Sequence, residues 1–479
     1  CCFCAMLQMM ASAALVLGVL LLGVLLVLLC SRFFLASMDN PHVIVLVLGD
    51  IGRSPRMQYH SLSLARHGCD VTIIGYPGAE PMAELTNSRI RIRHVMPLEI
   101  SWLPFTLRAG VKVLSLLLRL LALLLLSTPR ANVVLVQNPP AIPSLLLARV
   151  ASTLQGASFI IDFHNFGYSL LALKLGAQHP LVKAHRIYEQ LCGQLADDAF
   201  CVTAQMQRFL KEQWNVDARP LHDRPASIFR PSGIEEQHNL FQRLRDRGML
   251  GMVDDWWPDA KGETLFTRWS KTEGYSKSPR RPSLVVSSTS WTPDEDFGQL
   301  LDALPAFNEN LVQANARAVV IVTGKGDLRQ QFEERLCGMV PQLQAVRVVT
   351  MWLSFADYAL LLGSADLGLS LHSSSSGIDL PMKVVDMFGA GLPVCARSFA
   401  ALPELVQHGE NGLVFSSTEE LAVSLAHGLG VNAAASTDLP SLKSPAGKSK
   451  LNAWDDHWDA IAWPVFHAYA SGSTAKKIN

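Results

Sequence analysis

SSSSGIDLPMKVVDMFGAGLPVCA, residues 373–396, alternates a polar loop, a short helix and a buried strand. A polar run, Ser373–Ser376, meets Gly377, whose backbone reaches conformations closed to residues that carry a Cβ. Pro381 suits the opening of a helix, because its missing N–H is an orphan at that end in any case. Lys383 and Asp386 follow, with Val384, Val385 and Phe388 as an apolar side. Gly389 and Gly391 close the helix, and Leu392–Ala396 reads as a short buried strand. A loop of small residues feeding a helix N-terminus is a seat for phosphate, since unpaired N–H groups and the helix dipole both face it. A carboxylate one turn in can grip ribose hydroxyls. Taken alone, the stretch reads equally well as an ordinary βα turn with a surface Asp.

The same alternation runs through the rest of the chain. HVIVLVLG (residues 42–49) is a continuous apolar run of the kind found in central parallel strands. It leads through Gly49–Arg56 into a helix stopped by Gly68, and VTIIGY follows as a second strand. This strand–glycine loop–helix–strand order is doubly wound α/β. The loop is not G-x-G-x-x-G, so it does not support a dinucleotide site. NVVLVQ, SFIIDFHN and FCVTA supply further strands. From Ser283 the pattern restarts with SLVVSS, AVVIVTGKG, VRVVTMW and DLGLSLH. Residues 229–282, rich in charge, Trp, Gly and Ser, break the alternation and predict an insert and partly mobile linker. The predicted organisation is a signal-anchor segment over 1–40, a Rossmann-like domain over 41–228, the insert over 229–282, a second Rossmann-like domain over 283–436, and a linker with a C-terminal helix over 437–479 that packs back on the first domain.

Composition sets the outer limits. The 479 residues are ample for two or three domains. Lys plus Arg and Asp plus Glu both number 41, so no global charge points to a nucleic-acid partner. Hydrophobic content of 49% against 17% charged tilts the chain towards a membrane. Ala11–Cys30 is apolar and uncharged, about the 20 residues a span needs, and Arg32 on its C-terminal side weakly places the body in the cytoplasm. In VKVLSLLLRLLALLLL (residues 111–126), Arg108, Lys112, Ser115 and Arg119 line one helical face. A buried helix with a polar edge and an interfacial helix in the headgroup region both fit. The nine cysteines form no metal-like set of C-x-x-C pairs, the spacing occurring once, at Cys1–Cys4, and no N-x-[ST] sequon occurs.

The stretch at 373–396 resembles the donor-nucleotide segment of GT-B glycosyltransferases, and its wording is similar to that of the chitobiosyldiphosphodolichol beta-mannosyltransferase family. GDIGRSPRMQYHSLSLARHG (residues 49–68), IDFHNFGYS (161–169) and SSTSWTPDEDF (287–297) resemble the same family. The resemblance implies two facing doubly wound domains with a cleft between them, preceded by a transmembrane helix. It implies an inverting transferase that moves the first mannose from GDP-mannose to dolichol-pyrophosphate-chitobiose in a β1,4 link, for N-glycosylation. The expected setting is the endoplasmic reticulum membrane, single-pass, with the catalytic body cytosolic and other dolichol-pathway mannosyltransferases as neighbours. A polyprenyl glycosyltransferase of other donor specificity and a non-catalytic membrane scaffold are the competing readings.

Site residues carry over position by position. Asp386 aligns with the carboxylate that holds ribose in GT-B relatives. Those relatives often pair two Glu residues eight apart; here the first position is Ile378, with Asp379 beside it, and its role stays open. The Arg and Lys that clamp the diphosphate in many relatives are replaced by hydroxyls over Ser287–Trp291, including Ser288 and Thr289. Lys325, Lys383 and Arg53 become the substitute cations. Gly324 lets the backbone approach the donor, Gly377 shapes the loop, and Glu404 lies just beyond it. Gly52, Arg53 and Arg56 are expected at the acceptor pyrophosphate, with a helix N-terminal salt bridge as the other reading of Arg56. Asp50 is the first choice of general base and His164 the second. Asp294–Asp296 resembles a metal-binding D-x-D but precedes a helix and reads as its cap. No protein-held metal site is expected; Mg2+ enters as a companion of the donor diphosphate.

Overall fold

The computed structural model describes residues 40–96, 105–258, 260, 262–292, 295–372, 374, 376–431 and 454–470. The chain divides into two compact units, Cys1–Leu221 with Asp455–Asn479, and His222–Trp454.

In the first unit, β1 (His42–Asp50) passes through a short turn into α1 (Pro55–Arg66) and returns as β2 (Asp70–Tyr76). β3 (Ile90–His94), α2 (Phe105–Leu125), β4 (Val133–Asn138), α3 (Ser144–Gln155) and β5 (Ser158–Phe163) continue the alternation. α4 (Gly167–Leu175), α5 (Pro180–Gln194), β6 (Asp198–Cys201), α6 (Ala204–Trp214) and β7 (Arg219–Pro220) complete it. The strands form one parallel sheet in the order β3-β2-β1-β4-β5-β6-β7. Val43–Val47 are fully buried, which is why this strand shows no polar alternation: helices cover both faces. Winding reverses between β1 and β4, so the carboxyl ends of β1, β4 and β5 lie side by side, where doubly wound sheets hold ligands.

α2 begins six residues before the apolar run expected to form it. Leu120, Leu124 and Leu125 are fully buried, whereas Val113 and Lys112 are exposed. The helix is therefore half-buried beside α3, and Arg119 donates to the Met96 carbonyl at 2.6 Å.

In the second unit, α7 (Ile234–Asp246) and the hairpin β8 (Thr267–Ser270)–β9 (Gly274–Lys277) precede a second parallel sheet. The sheet and its helices are β10 (Ser283–Thr289), α8 (Phe297–Gln313), β11 (Ala318–Gly324), α9 (Arg329–Met339), β12 (Val346–Met351) and α10 (Phe355–Leu362). β13 (Leu367–Ser370), α11 (Met382–Gly389), β14 (Val394–Arg397), β15 (Gly412–Phe415) and α12 (Thr418–Gly428) follow. The order β12-β11-β10-β13-β14-β15 reproduces the winding of the first sheet, with its own reversal between β10 and β13.

Residues 229–282 differ from the expected mobile linker. Leu240, Phe241, Leu244, Val253 and Phe266 are buried in the same core as Val286, Ile321 and Val384. The charges of α7 lie on one face only and mask an apolar stripe at helical spacing. Trp256 and Trp257 lie beneath guanidinium groups, Arg245 at 4.6 Å from the Trp257 ring and Arg347 at 4.6 Å from Trp256. The unit boundary accordingly falls at 221/222, seven residues before the composition change. Cys337 is exposed on α9. α13 (Trp454–Ile461) and α14 (Trp463–Ala470) follow; Trp458 and Phe466 are fully buried against α1 and β6 of the first unit. The expected signal anchor and residues 437–453 lie outside the described residues, among which no helix is long and apolar enough to cross a membrane.

β11 ends at Gly324, which pairs with Thr289 of β10. A Cβ at Gly324 would sit 1.9 Å from the Thr289 carbonyl oxygen, and one at Gly326 would sit 2.1 Å from that of Ser290. Gly324→Ala is expected to lower stability by about 1–3 kcal/mol, the usual cost of overpacking, read as a drop in the thermal midpoint.

Candidate active site

The switch point of the first unit is built around Asp162, near the end of β5. Its side chain is 0% exposed and accepts from Arg56 twice, Nε at 2.7 Å and Nη2 at 2.9 Å. His60 Nε2 lies 3.2 Å from Asp162 Oδ2 and His164 Nε2 2.8 Å. Burial raises the pKa of Asp162, but Arg56, His164 and His60 outweigh it and hold the carboxyl well below the usual carboxylate range. Asp162 is an anion, and one flanking histidine, His164, is 22% exposed. With Nε2 donating to the carboxylate, His164 presents Nδ1 as its acceptor. That is the arrangement by which an acid orients a catalytic base.

Arg56 is therefore not an open acceptor-binding cation. Its third nitrogen, Nη1, donates to the Leu221 carbonyl at 2.7 Å, and the residue is 3% exposed. The salt-bridge reading holds, with a partner far along the chain instead of a helix N-terminal neighbour. Asp50 ends β1 with its carboxylate enclosed by backbone: Oδ1 accepts from Gly52 N at 3.0 Å and Oδ2 from Ala79 N at 3.0 Å. Gly52 is small for a steric reason, since a Cβ there would lie 2.2 Å from the Ala79 carbonyl oxygen. Arg53 stays open, 80% exposed and 3.4 Å from Asp50.

Sequence reading missed Glu189. It is buried on α5 and accepts from the amides of Gly167 and Tyr168 at 2.8 and 3.0 Å and from Asn138 at 3.0 Å. An anion at the N-terminus of α4 is favoured by its dipole, and it ties β4 to α4. Helical position alone gives no sign of this role.

In the second unit, Gly377 has φ of +76°, the conformation its place in the loop requires. Asp379 accepts from Ser376 Oγ at 3.1 Å and also from Ser374, whose oxygen in turn accepts from Gly377 N at 2.8 Å. Asp379 thus holds the serine loop. Pro381 is the residue just before α11, one position earlier than expected. Glu295 of the D-E-D run is 5% exposed and forms an ion pair with Lys383. It also accepts from Thr289 Oγ1 at 2.7 Å and Ser290 N at 2.9 Å. Asp296 occupies the N-cap of α8 without making a side-chain cap bond. Ser288 accepts from Tyr358 at 3.0 Å. Lys325 is exposed and lies 4.5 Å from the Trp352 ring. Glu404 faces His222 at 3.1 Å. Burial, and next the charge of Asp223, push Asp386 well above the ordinary carboxyl range. Among the described residues no group of three or more His, Cys, Asp or Glu side chains is arranged to hold a metal ion.

Two family descriptions match the chain: Glycosyl transferase 4-like domain over residues 53–225 and Glycosyl transferases group 1 over 281–429. Chitobiosyldiphosphodolichol beta-mannosyltransferase of Mus musculus is 42% identical over 430 residues, 88% of this chain and 89% of the relative. The chain belongs to the chitobiosyldiphosphodolichol beta-mannosyltransferase family. The protein of that name from Homo sapiens is 41% identical over 88% of this chain and 92% of its own. The UDP-glycosyltransferase TURAN of Arabidopsis thaliana is 42% identical over 88% and 96%. Among solved structures, sucrose-phosphate synthase from Thermosynechococcus elongatus superposes with a TM-score of 0.58 at 12% identity, covering 90% of this chain and 99% of that one. This match supports the GT-B fold of two Rossmann-like sheets for this member of the beta-mannosyltransferase family.

Opposite pKa shifts give Asp162 and Asp386 of the beta-mannosyltransferase opposite responses. Asp162 is depressed, so its contribution to stability is present above the unfolded value of about 3.9 and is lost as pH falls through the folded one. Asp162→Asn leaves Arg56 buried without its counter-charge and is expected to cost about 3–5 kcal/mol at pH 7, read by denaturant unfolding. Asp386 is raised, so the fold loses stability as pH rises from about 4 through the folded-state value. Asp386→Asn removes that loss and is expected to raise the thermal midpoint at pH 7 while weakening donor binding.

Proposed function

We propose that this chain transfers the first mannose of dolichol-linked oligosaccharide assembly from GDP-mannose to GlcNAc2-PP-dolichol in a β1,4 link. The observation that carries the reaction is the Asp162–His164 pair: a buried, ionised carboxylate 2.8 Å from Nε2 of a half-buried histidine. His164 Nδ1 takes the proton from the acceptor hydroxyl as that oxygen bonds to C1 of mannose. The C1–O bond to the β-phosphate breaks with its electron pair, and GDP departs. One displacement turns the α-linked donor into a β-linked product, with general-base catalysis on the nucleophile. His164 takes precedence over Asp50, because both carboxylate oxygens of Asp50 already accept backbone amides.

The second unit supplies the donor contacts. The start of α11 offers backbone N–H groups to the diphosphate, and Gly377, whose own N–H is held by Ser374 Oγ, shapes the loop. Lys325 adds charge, Ser288 adds a hydroxyl, Glu404 borders the seat, and Asp386 meets the ribose; Lys383 and Thr289, expected at the donor, are instead paired with Glu295. Any divalent cation arrives with the donor diphosphate, and no step is routed through it. Arg53 beside Gly52, the one open cation of the first loop, meets the acceptor pyrophosphate.

Anchoring in the endoplasmic reticulum membrane by the apolar segment at 11–30, with the body cytosolic, agrees with the missing sequons. The α4–α5 hairpin agrees with a lipid-facing position: Leu173, Leu175, Leu181, Ile187 and Leu191 are exposed, and the exposed charges among them, Lys174, Lys183 and Arg186, are all basic. Anionic headgroups complement such a surface.

A UDP-sugar donor is the second reading, favoured by the name of the Arabidopsis relative. Titration of the protein with GDP-mannose and with UDP-glucose or UDP-GlcNAc separates the two. Tight binding of GDP-mannose alone is expected, and preference for a UDP-sugar would reject the mannosyl reading. His164→Ala is expected to lower kcat about 10²–10⁴-fold with little change in donor KM, measured by transfer to a phytanyl acceptor.

A further inference from the structure

The C-terminal helix α13 reaches the Asp162 cluster through a single hydrogen-bond chain. Trp458 Nε1–H donates to His60 Nδ1 at 2.9 Å, across 398 residues of sequence. A ring nitrogen that accepts carries no proton, and the indole N–H is a donor only. His60 must then hold its one proton on Nε2, the nitrogen 3.2 Å from Asp162 Oδ2. Trp458, His60 and Asp162 are all fully buried, so water offers none of the three a substitute partner.

We propose that Trp458 is a positioning residue for the transfer: its indole N–H holds His60 as the neutral Nε2–H tautomer, so that the charge of Asp162 is shared only by Arg56 and His164. This inference rests on His164 as the general base. A proton on His60 Nδ1 would place an imidazolium 3.2 Å from Asp162. The carboxylate would then face two cations, Arg56 and His60, and would stabilise the charge gained by His164 less well. The indole N–H occupies the one position where that proton can enter. Burial lowers the basicity of His60 in the same direction.

Phe200 of β6 and Phe466 of α14 pack on the His60 ring, with centroids at 6.1 and 6.3 Å. The charged and titratable groups facing it are Asp162, Arg56 and His164. Behind Trp458, His67 stacks at 5.7 Å and pairs with Asp459, while Arg66 pairs with Asp455 and Asp459. These groups anchor α13 to α1 and set the indole.

Trp458→Phe keeps the stacking on His67, Trp463 and Phe466 and removes only the donor. In the full-length protein, kcat of the variant is expected to fall away at a pH about one unit higher than in wild type, the size of an ordinary environmental shift for histidine. Donor KM is expected to stay within about twofold, as for loss of an interaction made in the transition state. His60→Gln retains an N–H for Asp162 and an oxygen for Trp458 but cannot titrate. In that background Trp458→Phe is expected to leave the pH profile where it is. A Trp458→Phe profile superimposable on wild type, or the same displacement with and without His60→Gln, overturns the proposal. Nitrogen-15 histidine spectra, assigned with His60→Gln, read the tautomer without any turnover. Titration of wild-type His60 Nδ1 at or above the ordinary histidine value also overturns it. A locked His60 in a wild-type protein that transfers no mannose would instead reject the mannosyl reading, leaving the tautomer control in place.

Discussion

One buried anion organises the first unit. Asp162 sits near the end of a central strand with no exposure, where an uncompensated charge is intolerable. Arg56 from α1 supplies the permanent counter-charge and spends its remaining donor on the Leu221 carbonyl, near the point where the chain leaves the unit. His60 adds a neutral donor whose state is fixed by Trp458 of the returning C-terminal helix. Helix, strand, unit boundary and C-terminus therefore converge on one carboxylate. Only His164 joins that cluster from a partly exposed position.

The second unit applies the same device with a different anion. Glu295 lies under the loop that follows β10 and joins Thr289, Ser290 and Lys383. A loop rich in hydroxyls and an ammonium group on α11 are thereby held together without the Arg and Lys clamp of other GT-B enzymes. Two glycines, Gly324 and Gly326, let the neighbouring loop pack directly on this backbone. Burial, and next the charge of Asp223, raise the pKa of Asp386 on α11.

Both Rossmann-like sheets were legible in the sequence because their signals are local: uninterrupted apolar runs, glycine breaks and short helices in strict alternation. The 229–282 region was not, because the charges on the outer face of α7 hide an apolar stripe that only the β-sheet core reveals. Arg56 looked like a ligand cation for a related reason. Its partner lies 106 residues further on, and a cation in a glycine loop carries no mark of a buried counter-ion. His164 stood out through its motif, whereas the reason to prefer it over Asp50 lies in which oxygens and nitrogens the backbone has already taken. Glu295 was hidden inside a D-E-D run whose outer residues suggested metal or helix capping; its inward turn is set by Lys383, 88 positions away.

The central claim, that this site inverts the mannose centre on a chitobiosyl lipid, is tested most directly by the linkage of the product. Membranes carrying the full-length chain are incubated with radiolabelled GDP-mannose and chitobiose-pyrophosphate-phytanol, and the extracted lipid is treated with β-mannosidase. The expected product is a labelled lipid from which β-mannosidase releases the label. A folded, membrane-bound protein that yields no labelled lipid, or one whose label resists β-mannosidase, would contradict it.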